Sequence, residues 1–461
     1  MNAFLEKYLH IFIYLFLLLL SIPLCLQDLY KGVFLLLIFT IWFVIPFFKK
    51  GYLYTLLFIF FLLPFNITLQ IPESVTLLGN TLLLSQPYVA GLWVNYLVPT
   101  LSILDVFVLI FLLQLFVYRK RLFKRYISNK YILLLLFLLL IQSFIVQNFL
   151  TTLLSLRMFV YLFTTVVIVE IVKERSTLKK MLQKGYIKVL LISTVLFQAT
   201  VGMYQFLRGS SLGVYFLGES KIANGMLGSS FIEIGGENFL RSYGTFPHPN
   251  ILAGWYILIL IFLIYMYSKT EEKIYLFTIP FLLFFSLFTF SRVSILLIVL
   301  ICILYIFKYL KTSKKILSVP TLLWFRFVDI FREQDSSLVE RIKLLKVNIG
   351  ILKENLLLGT GVGNSIRHYS ENIPLTEGGK LLLQPVHNIW VLMVVELGLL
   401  LGVYYLFLLY RFFIKGIKIN TFTFSILLTV ITVGMFDHYL FTLPQGNIIF
   451  FSFLILLSDS R

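Results

Sequence analysis

Long apolar blocks dominate the chain, with short polar stretches between them. Ile11–Gln27, Tyr131–Val146, Ile251–Ser268 and His387–Tyr410 are four of these blocks. Each approaches the roughly 20 residues that a helix needs to cross a bilayer. Hydrocarbon offers no water to a backbone N–H or C=O, so a crossing segment pairs its own groups as a helix. A barrel would instead alternate apolar and polar residues along strands of about ten residues, and these blocks are continuous. The pattern predicts an all-α fold, a polytopic transmembrane helical bundle of about 12–14 spans. The shortest predicted span is Ile316–Phe325, and a pair is predicted around Asn148–Met158.

Two longer polar segments interrupt the blocks, at 206–250 and 326–386, both rich in Gly, Ser, Asn and mixed charge. The second carries an amphipathic helix of its own. Ser337-Leu-Val-Glu340 reads as a capping box. Leu338, Ile342, Leu345, Ile349, Leu352 and Leu356 recur at helical spacing, and Gly359 ends the run. Its remaining surface is basic, with Arg341, Lys343, Lys346 and Lys353, which suits a helix lying on the membrane or roofing the bundle. The chain divides into N-terminal spans over 1–185 and a second transmembrane unit over 186–461 that includes both polar segments.

Charge adds sidedness. Lys and Arg gather in short clusters between the blocks, most densely at Tyr118–Lys130, which contains no acid. Short loops rich in Lys and Arg stay in the cytoplasm. The clusters at Phe48–Gly51, Lys173–Lys188, Lys269–Lys273, Lys308–Lys315 and Arg411–Lys418 then fall on the same side, with both termini. The two polar segments and the turns at Ser291–Arg292 and Asp437–Gln445 fall on the outer face. Four of the five histidines, His248, His368, His387 and His438, fall there with them, so that face is where chemistry is expected.

Composition agrees with a membrane protein. Of 461 residues 59% are hydrophobic and 13% charged, against about 25% charged in soluble domains. Mean hydropathy is +0.95. The net charge of +18 suggests nucleic acid, but its placement between spans is that of topology signals and lipid-headgroup contacts. Cys25 and Cys302 lie inside predicted spans, with no metal spacing. The first block has no small-residue cleavage site after it and is read as a span. No HExxH, Walker loop or dinucleotide fingerprint stands in its proper context. Gly359-Thr-Gly-Val-Gly363 follows an amphipathic helix on the outer face, the wrong side for a nucleotide. No metal and no cofactor is expected.

The polar residues at span ends are the candidates for chemistry. Arg241 opens Arg241-Ser-Tyr-Gly-Thr-Phe-Pro-His-Pro-Asn250, and Arg292 stands in Phe290-Ser-Arg-Val293. A guanidinium fits phosphate in a two-point fashion and keeps its charge; it also snorkels at interfaces without any function. His248 and Asn250 open one span, with Pro249 suited to its first position. His387 and Asn388 open another. The partial positive charge of a helix N-terminus suits an anion and favours a neutral imidazole, as a general base requires. His387 as a helix cap or interfacial anchor fits the same position. Glu396 lies nine residues into its span, where a carboxylate is expensive; it can orient a partner, carry a proton or pair with a basic residue, and pairing is the plainest expectation.

Taken in order, these motifs resemble the O-antigen ligase / O-antigen polymerase family over roughly Phe206–Tyr410. They are Arg-x-x-Gly-Thr-Phe-x-x-Pro-Asn before a span, Ser-Arg between spans, Glu340-Arg341, Glu354-Asn355 with its glycine-rich run, and His387-Asn388 leading to Glu396-Leu-Gly-Leu-Leu-Leu-Gly402. The resemblance implies a metal-independent glycosyltransferase of the cytoplasmic (inner) membrane. Such an enzyme takes a glycan from a polyprenyl-diphosphate carrier on the outer face and passes it to a hydroxyl of a glycan, lipid or protein acceptor. It implies that Arg292 and Arg341, with Arg241 as a third, bind the diphosphate and that His387 activates the acceptor. Asn388, His248, Asn250 and Glu396 stand as supporting residues. Membrane lipids are the remaining expected partners, and nucleic acid is not one. Ligase and polymerase share this donor chemistry. A flippase or transporter of lipid-linked glycans shares the arginine logic, and a purely structural membrane protein is a third reading.

Overall fold

The structure, a computed structural model, describes residues 51–77, 80–173, 185–226, 228–234, 236–310, 336–369, 373–376, 379 and 381–458. The predicted spans Ile11–Gln27 and Ile316–Phe325 and the capping residue Ser337's side chain lie outside what is described. Helices fill most of the rest: α1 Gly51–Leu62, α2 Ile103–Tyr118, α3 Lys120–Ile127, α4 Lys130–Val146, α5 Phe149–Lys173, α6 Gly185–Arg208, α7 Pro249–Thr270, α8 Lys273–Leu287, α9 Arg292–Leu310, α10 Ser336–Glu354, α11 Ile389–Leu409, α12 Thr421–Phe436, α13 Tyr439–Thr442 and α14 Pro444–Ser458. Among the described residues, four helical stretches are long and apolar enough to cross a membrane: Phe149–Lys173, Lys188–Arg208, Pro249–Thr270 and Ile389–Ile414. The pair α3 and α4, bent by 59°, makes a fifth if counted as one span, and shorter apolar helices pack beside them. This is a polytopic helical membrane protein. Its outer sides carry large bare apolar side chains, Phe137, Phe144 and Phe277 among them, a surface that suits lipid tails and not water.

Around Asn148–Met158, where a pair of spans was expected, there is a tight turn and then one long helix. Gln147 adopts a left-handed conformation after α4, and α5 starts at Phe149. The helix ends obey local rules. Ser102 caps α2 in a capping box with Asp105, Asn129 caps α4 and Asn420 caps α12. α7 is enclosed on nearly every side, packed by α8, α9, α12 and α14. The segments at the bundle ends add what an all-helical expectation omits: four two-stranded antiparallel ribbons. They pair β1 Thr68–Gln70 with β6 Thr100–Ser102, β2 Ser74–Leu77 with β3 Asn80–Leu83, β4 Tyr88–Val89 with β5 Leu92–Trp93, and β7 Phe231–Ile234 with β8 Glu237–Leu240.

The described parts of the basic clusters collect at one end of the bundle. Lys188 pairs with Glu272 there, and Arg411 stacks on the Tyr131 ring. The described histidines lie at the opposite end. α10 lies over that end against α11, but the face it buries differs from the one its periodicity suggests. Leu344, Asn348 and Ile351 are buried, whereas Leu338, Ile342 and Ile349 are exposed. The helix is apolar on two faces, so spacing alone selects the wrong one.

One joint ties α10 to α11. α11 breaks at Gly398 (φ 70°, ψ 173°), which leaves helix backbone groups without their usual partners. The strand of chain after α10 supplies them. Thr360 N–H donates to the Val395 carbonyl and Gly361 N–H to that of Glu396, both at 2.9 Å, while Leu399 N–H donates to Leu356 at 2.8 Å. Gln142 of α4 donates to the carbonyls of Leu358 and Glu396. Glu396 does not pair with a basic residue. Its carboxylate accepts from Gly363 N–H and Ser365 Oγ, both at 2.8 Å. The glycine-rich run is therefore a docking strap for a broken helix. A Cβ on Gly398 would overlap the Leu357 carbonyl, and one on Gly359 would overlap the Gly398 amide and the Glu396 carbonyl.

A second polar link lies in α2 and α5. Arg157 donates from Nε and Nη2 to Asp105 at 2.9 and 2.8 Å and also reaches the Thr100 carbonyl, and Tyr161 adds its hydroxyl to Asp105 at 2.7 Å. Both members of the pair are nearly inaccessible. Removing one partner of a buried, hydrogen-bonded ion pair strands the other, at a cost of about 3–5 kcal/mol. Thermal unfolding in detergent should therefore show Arg157→Ala and Asp105→Ala as strongly destabilised. Gly398→Ala meets both a left-handed backbone and an occupied space, and its melting temperature should fall as well, by the equivalent of about 1–3 kcal/mol or more. Wild-type melting for Gly398→Ala would show that the strap does not constrain the break.

Candidate functional site

The segment ahead of α7 is held from below by two glutamines of α6. Gln205 Oε1 accepts from the N–H groups of Tyr243 and Gly244, and Gln198 Oε1 accepts from Thr245 N–H. Thr245 Oγ1 reaches the Pro64 carbonyl at 2.7 Å. Gly244 sits at φ 60°, against Gln198, which accounts for a glycine in that motif. The clamp fixes Arg241, whose Nε donates to the Thr289 carbonyl and whose Nη2 donates to Asn250 Oδ1, both at 2.8 Å. Asn250 passes the link on: its Nδ2 donates to Asp437 Oδ2 at 2.7 Å.

His248 caps α7. Its Nδ1 accepts from Asn250 N–H, and its Nε2 lies 3.2 Å from Ser230 Oγ. Pro249 takes the first helical position, as expected. On α11 the cap is Asn388, whose Oδ1 accepts from the N–H groups of Trp390 and Val391. That frees His387, one residue earlier, from capping. Its ring packs edge-on against His438 with centroids 5.0 Å apart, and its Nδ1 is buried with no partner among the described residues. Asp437 and His438 form the break between α12 and α13. Asp437 Oδ1 accepts from His438 N–H at 2.8 Å, His438 Nδ1 meets Thr442 Oγ1 at 2.8 Å, and the Tyr96 ring packs edge-on against the His438 ring.

Four distant segments thus converge. Arg241 with His248 and Asn250 comes from the entry to α7 and His387 from the entry to α11, both against Asp437 and His438; Arg341 from α10 lies near enough to act on Arg241 and the imidazoles, and Arg292 from the start of α9 near enough to act on Arg241. The electrostatics record the convergence. Burial pushes the Arg241 guanidinium down to about 10, and the charges of Arg341 and Arg292 press the same way. Burial lowers the His248 imidazole to about 4, with Arg241 adding to it. Burial and then His438, with Arg341 and His248, hold the His387 imidazole well below its usual value. His438 is lowered by burial and Arg341. Burial alone would raise the Asp437 carboxyl, but the imidazoles of His438, His387 and His248 and the Asn250 amide keep it below the usual carboxylate range. His368 stays apart, exposed near Glu354. Glu396 sits in the strap joint, outside the cluster.

Sequence reasoning placed the outward turn at Asp437 and His438 but did not select those two residues. Their signal was present: an acid and an imidazole side by side between two apolar helices, in a chain with few acids. What linked them to Asn250 and His387 was contact across about 190 and 50 residues of chain, which no local pattern carries. Among the described residues, His387, Asp437 and His438 are also a group whose donor atoms lie near enough together to consider for a metal.

Among the described residues, this multi-pass helical bundle brings imidazoles and a buried guanidinium together with the Asp437 carboxylate at one end. Residues 251–406 match the family model described as O-antigen ligase. No curated protein and no solved structure matches the chain. Arg292, Arg341, His387, Asn388 and Glu396 lie inside the matched segment; Arg241, His248 and Asn250 immediately precede it, and Asp437 and His438 lie beyond it.

The depressed imidazoles make stability depend on pH. Folded, His248, His387 and His438 bind protons more weakly than they do in the unfolded chain. As pH falls through the ordinary histidine range the unfolded state takes up protons that the folded state refuses, so stability drops. Asp437, also depressed, acts in the same direction at lower pH. The melting temperature of detergent-solubilised protein should fall from about pH 7 to about pH 5. His248→Asn puts a capping oxygen where the imidazole Nδ1 accepts, and should flatten part of that slope; an unchanged slope would mean that His248 does not titrate as described.

Proposed function

We propose that this protein transfers a glycan from a polyprenyl-diphosphate carrier to an acceptor hydroxyl at the outer face of the cytoplasmic membrane, in the manner of an O-antigen ligase. The cluster lies at the end away from the described basic residues, and the Lys/Arg bias of the short loops supports reading that end as extracytoplasmic. The observation that carries the reading is the company of His387. It is an imidazole with an unengaged nitrogen, in a group where the arginines exceed the carboxylates.

The arginines Arg241, Arg292 and Arg341 would receive the diphosphate and stabilise its charge as the glycosidic bond breaks. His387, neutral because burial and neighbouring positive charge disfavour its protonation, takes the acceptor proton on Nδ1. The acceptor oxygen attacks the anomeric carbon, the carbon–oxygen bond to the diphosphate breaks, and the polyprenyl diphosphate departs with the electron pair. A single displacement inverts the anomeric configuration. Asp437 orients the Asn250–Arg241 chain, and His248 and Asn388 act through the helix starts they cap. No metal enters these steps. Ligation and polymerisation share them and differ only in the acceptor.

Purified protein in liposomes, given lipid-linked donor and acceptor on the same side, should form product without moving donor across the bilayer. Movement without transfer would identify a flippase instead. His387→Ala should slow transfer by roughly 10²–10⁴-fold, and Arg292→Ala and Arg341→Ala by about 10²-fold or more. Turnover at the wild-type rate in all three variants would defeat the mechanism.

A further inference from the structure

The transfer chemistry leaves His438 without a task, although it is the most buried of the clustered imidazoles. Its surroundings have a definite chemistry. Thr442 Oγ1 is 3.3 Å from the His438 carbonyl and donates to it, so its lone pairs accept from Nδ1–H of the ring at 2.8 Å. That tautomer leaves Nε2 of His438 with a bare lone pair. A hydroxyl or carbonyl fixing the far ring nitrogen is the usual arrangement behind a metal-ligating imidazole. His387 Nδ1 is the second bare nitrogen, buried and without a partner. Asp437 supplies the third donor, anchored by Asn250. One donor atom from each of the three residues lies within 4.8 Å of the others.

We propose that His387, Asp437 and His438 form a binding site for a divalent transition metal of the zinc type, and that the bound metal is an inhibitor. Two imidazoles and one carboxylate, with a fourth position left for water, suit zinc or cobalt; magnesium and calcium require oxygen ligands throughout. Metal–ligand bonds of about 2.0–2.2 Å bring neighbouring donors to roughly 3.5 Å, so small side-chain rotations close the site. Arg241 and Arg341 oppose a dication, which keeps affinity below that of a resident structural metal and makes the metal removable. Occupation takes the lone pair of His387 and so stops transfer. This inhibitory half rests on the reading of His387 as the base; the binding half does not.

The binding test uses the metal alone. Purified, chelator-treated protein in detergent is titrated with Co²⁺, read by its visible d–d absorption, and with Zn²⁺, read by competition against a chromophoric chelator. One metal per chain is expected, with affinity lowered roughly tenfold or more in His438→Ala and in Asp437→Asn and kept in His368→Asn, since His368 lies outside the cluster. No stoichiometric binding, or binding indifferent to His438→Ala and Asp437→Asn, overturns the site. In the transfer assay Zn²⁺ should inhibit and a chelator restore activity. If instead the chelator abolishes transfer, the metal is a cofactor and the inhibitory assignment falls together with metal-independent transfer. If the protein transfers neither metal-free nor metal-loaded although the site binds Co²⁺ as described, the glycosyl-transfer reading fails and the metal site stands.

Discussion

The break in α11 at Gly398 depends on a set of hydrogen bonds that another part of the chain must provide. Unpaired backbone groups in hydrocarbon cost several kcal/mol each, so a helix cannot end its ladder inside the bundle without replacement partners. The run 356–361 supplies N–H and C=O groups on both sides of the break, and Gln142 bridges the two pieces of backbone. Glu396, buried beside the break, accepts from Gly363 and Ser365 and so draws the same strap inward. Two motifs that are separate in sequence, the glycine-rich run and Glu396-Leu-Gly398, are the two halves of this one joint. It sets where α10 lies over the bundle and where the N-terminal part of α11 points. Arg341 rides on the first of these and His387 precedes the second.

The site inherits its character from that placement and from a shortage of acids. Arg292 and Arg341 act on Arg241, and so does the Asp437 carboxylate. Asp437 is already engaged by Asn250 and by the backbone of α13. Charges in such a group act on one another strongly, because burial leaves them poorly screened. The same positive field and the same burial hold the imidazoles in their neutral form.

Helix ends were partly legible: Pro249 takes the first position of α7, as its chemistry predicts, but the cap of α11 is Asn388 and not His387, and a turn stands at Asn148. α10 shows the limit of periodicity: both of its faces are apolar, and only packing against α11 and the segment 365–369 selects Leu344, Asn348 and Ile351 as the buried one. Glu396 shows the limit of residue chemistry. A buried carboxylate needs partners, but whether they are a guanidinium or two donors of a loop depends on what lies opposite.

The sequence by itself determined that the chain crosses the membrane several times as helices, that His248, His368, His387 and His438 fall at the end away from the basic clusters, and which arginines and which histidine were worth watching. Those properties are written in runs and end-residues about twenty positions long, because a bilayer acts on each crossing segment separately. Only the tertiary structure decided that Asp437 and His438 complete the site, that Asn250 joins Arg241 to Asp437, and that the glycine-rich run mends a broken helix. Those are contacts between segments far apart in the chain, and their energies come from complementary groups meeting in a low-dielectric interior, where neither partner alone carries a record of the other.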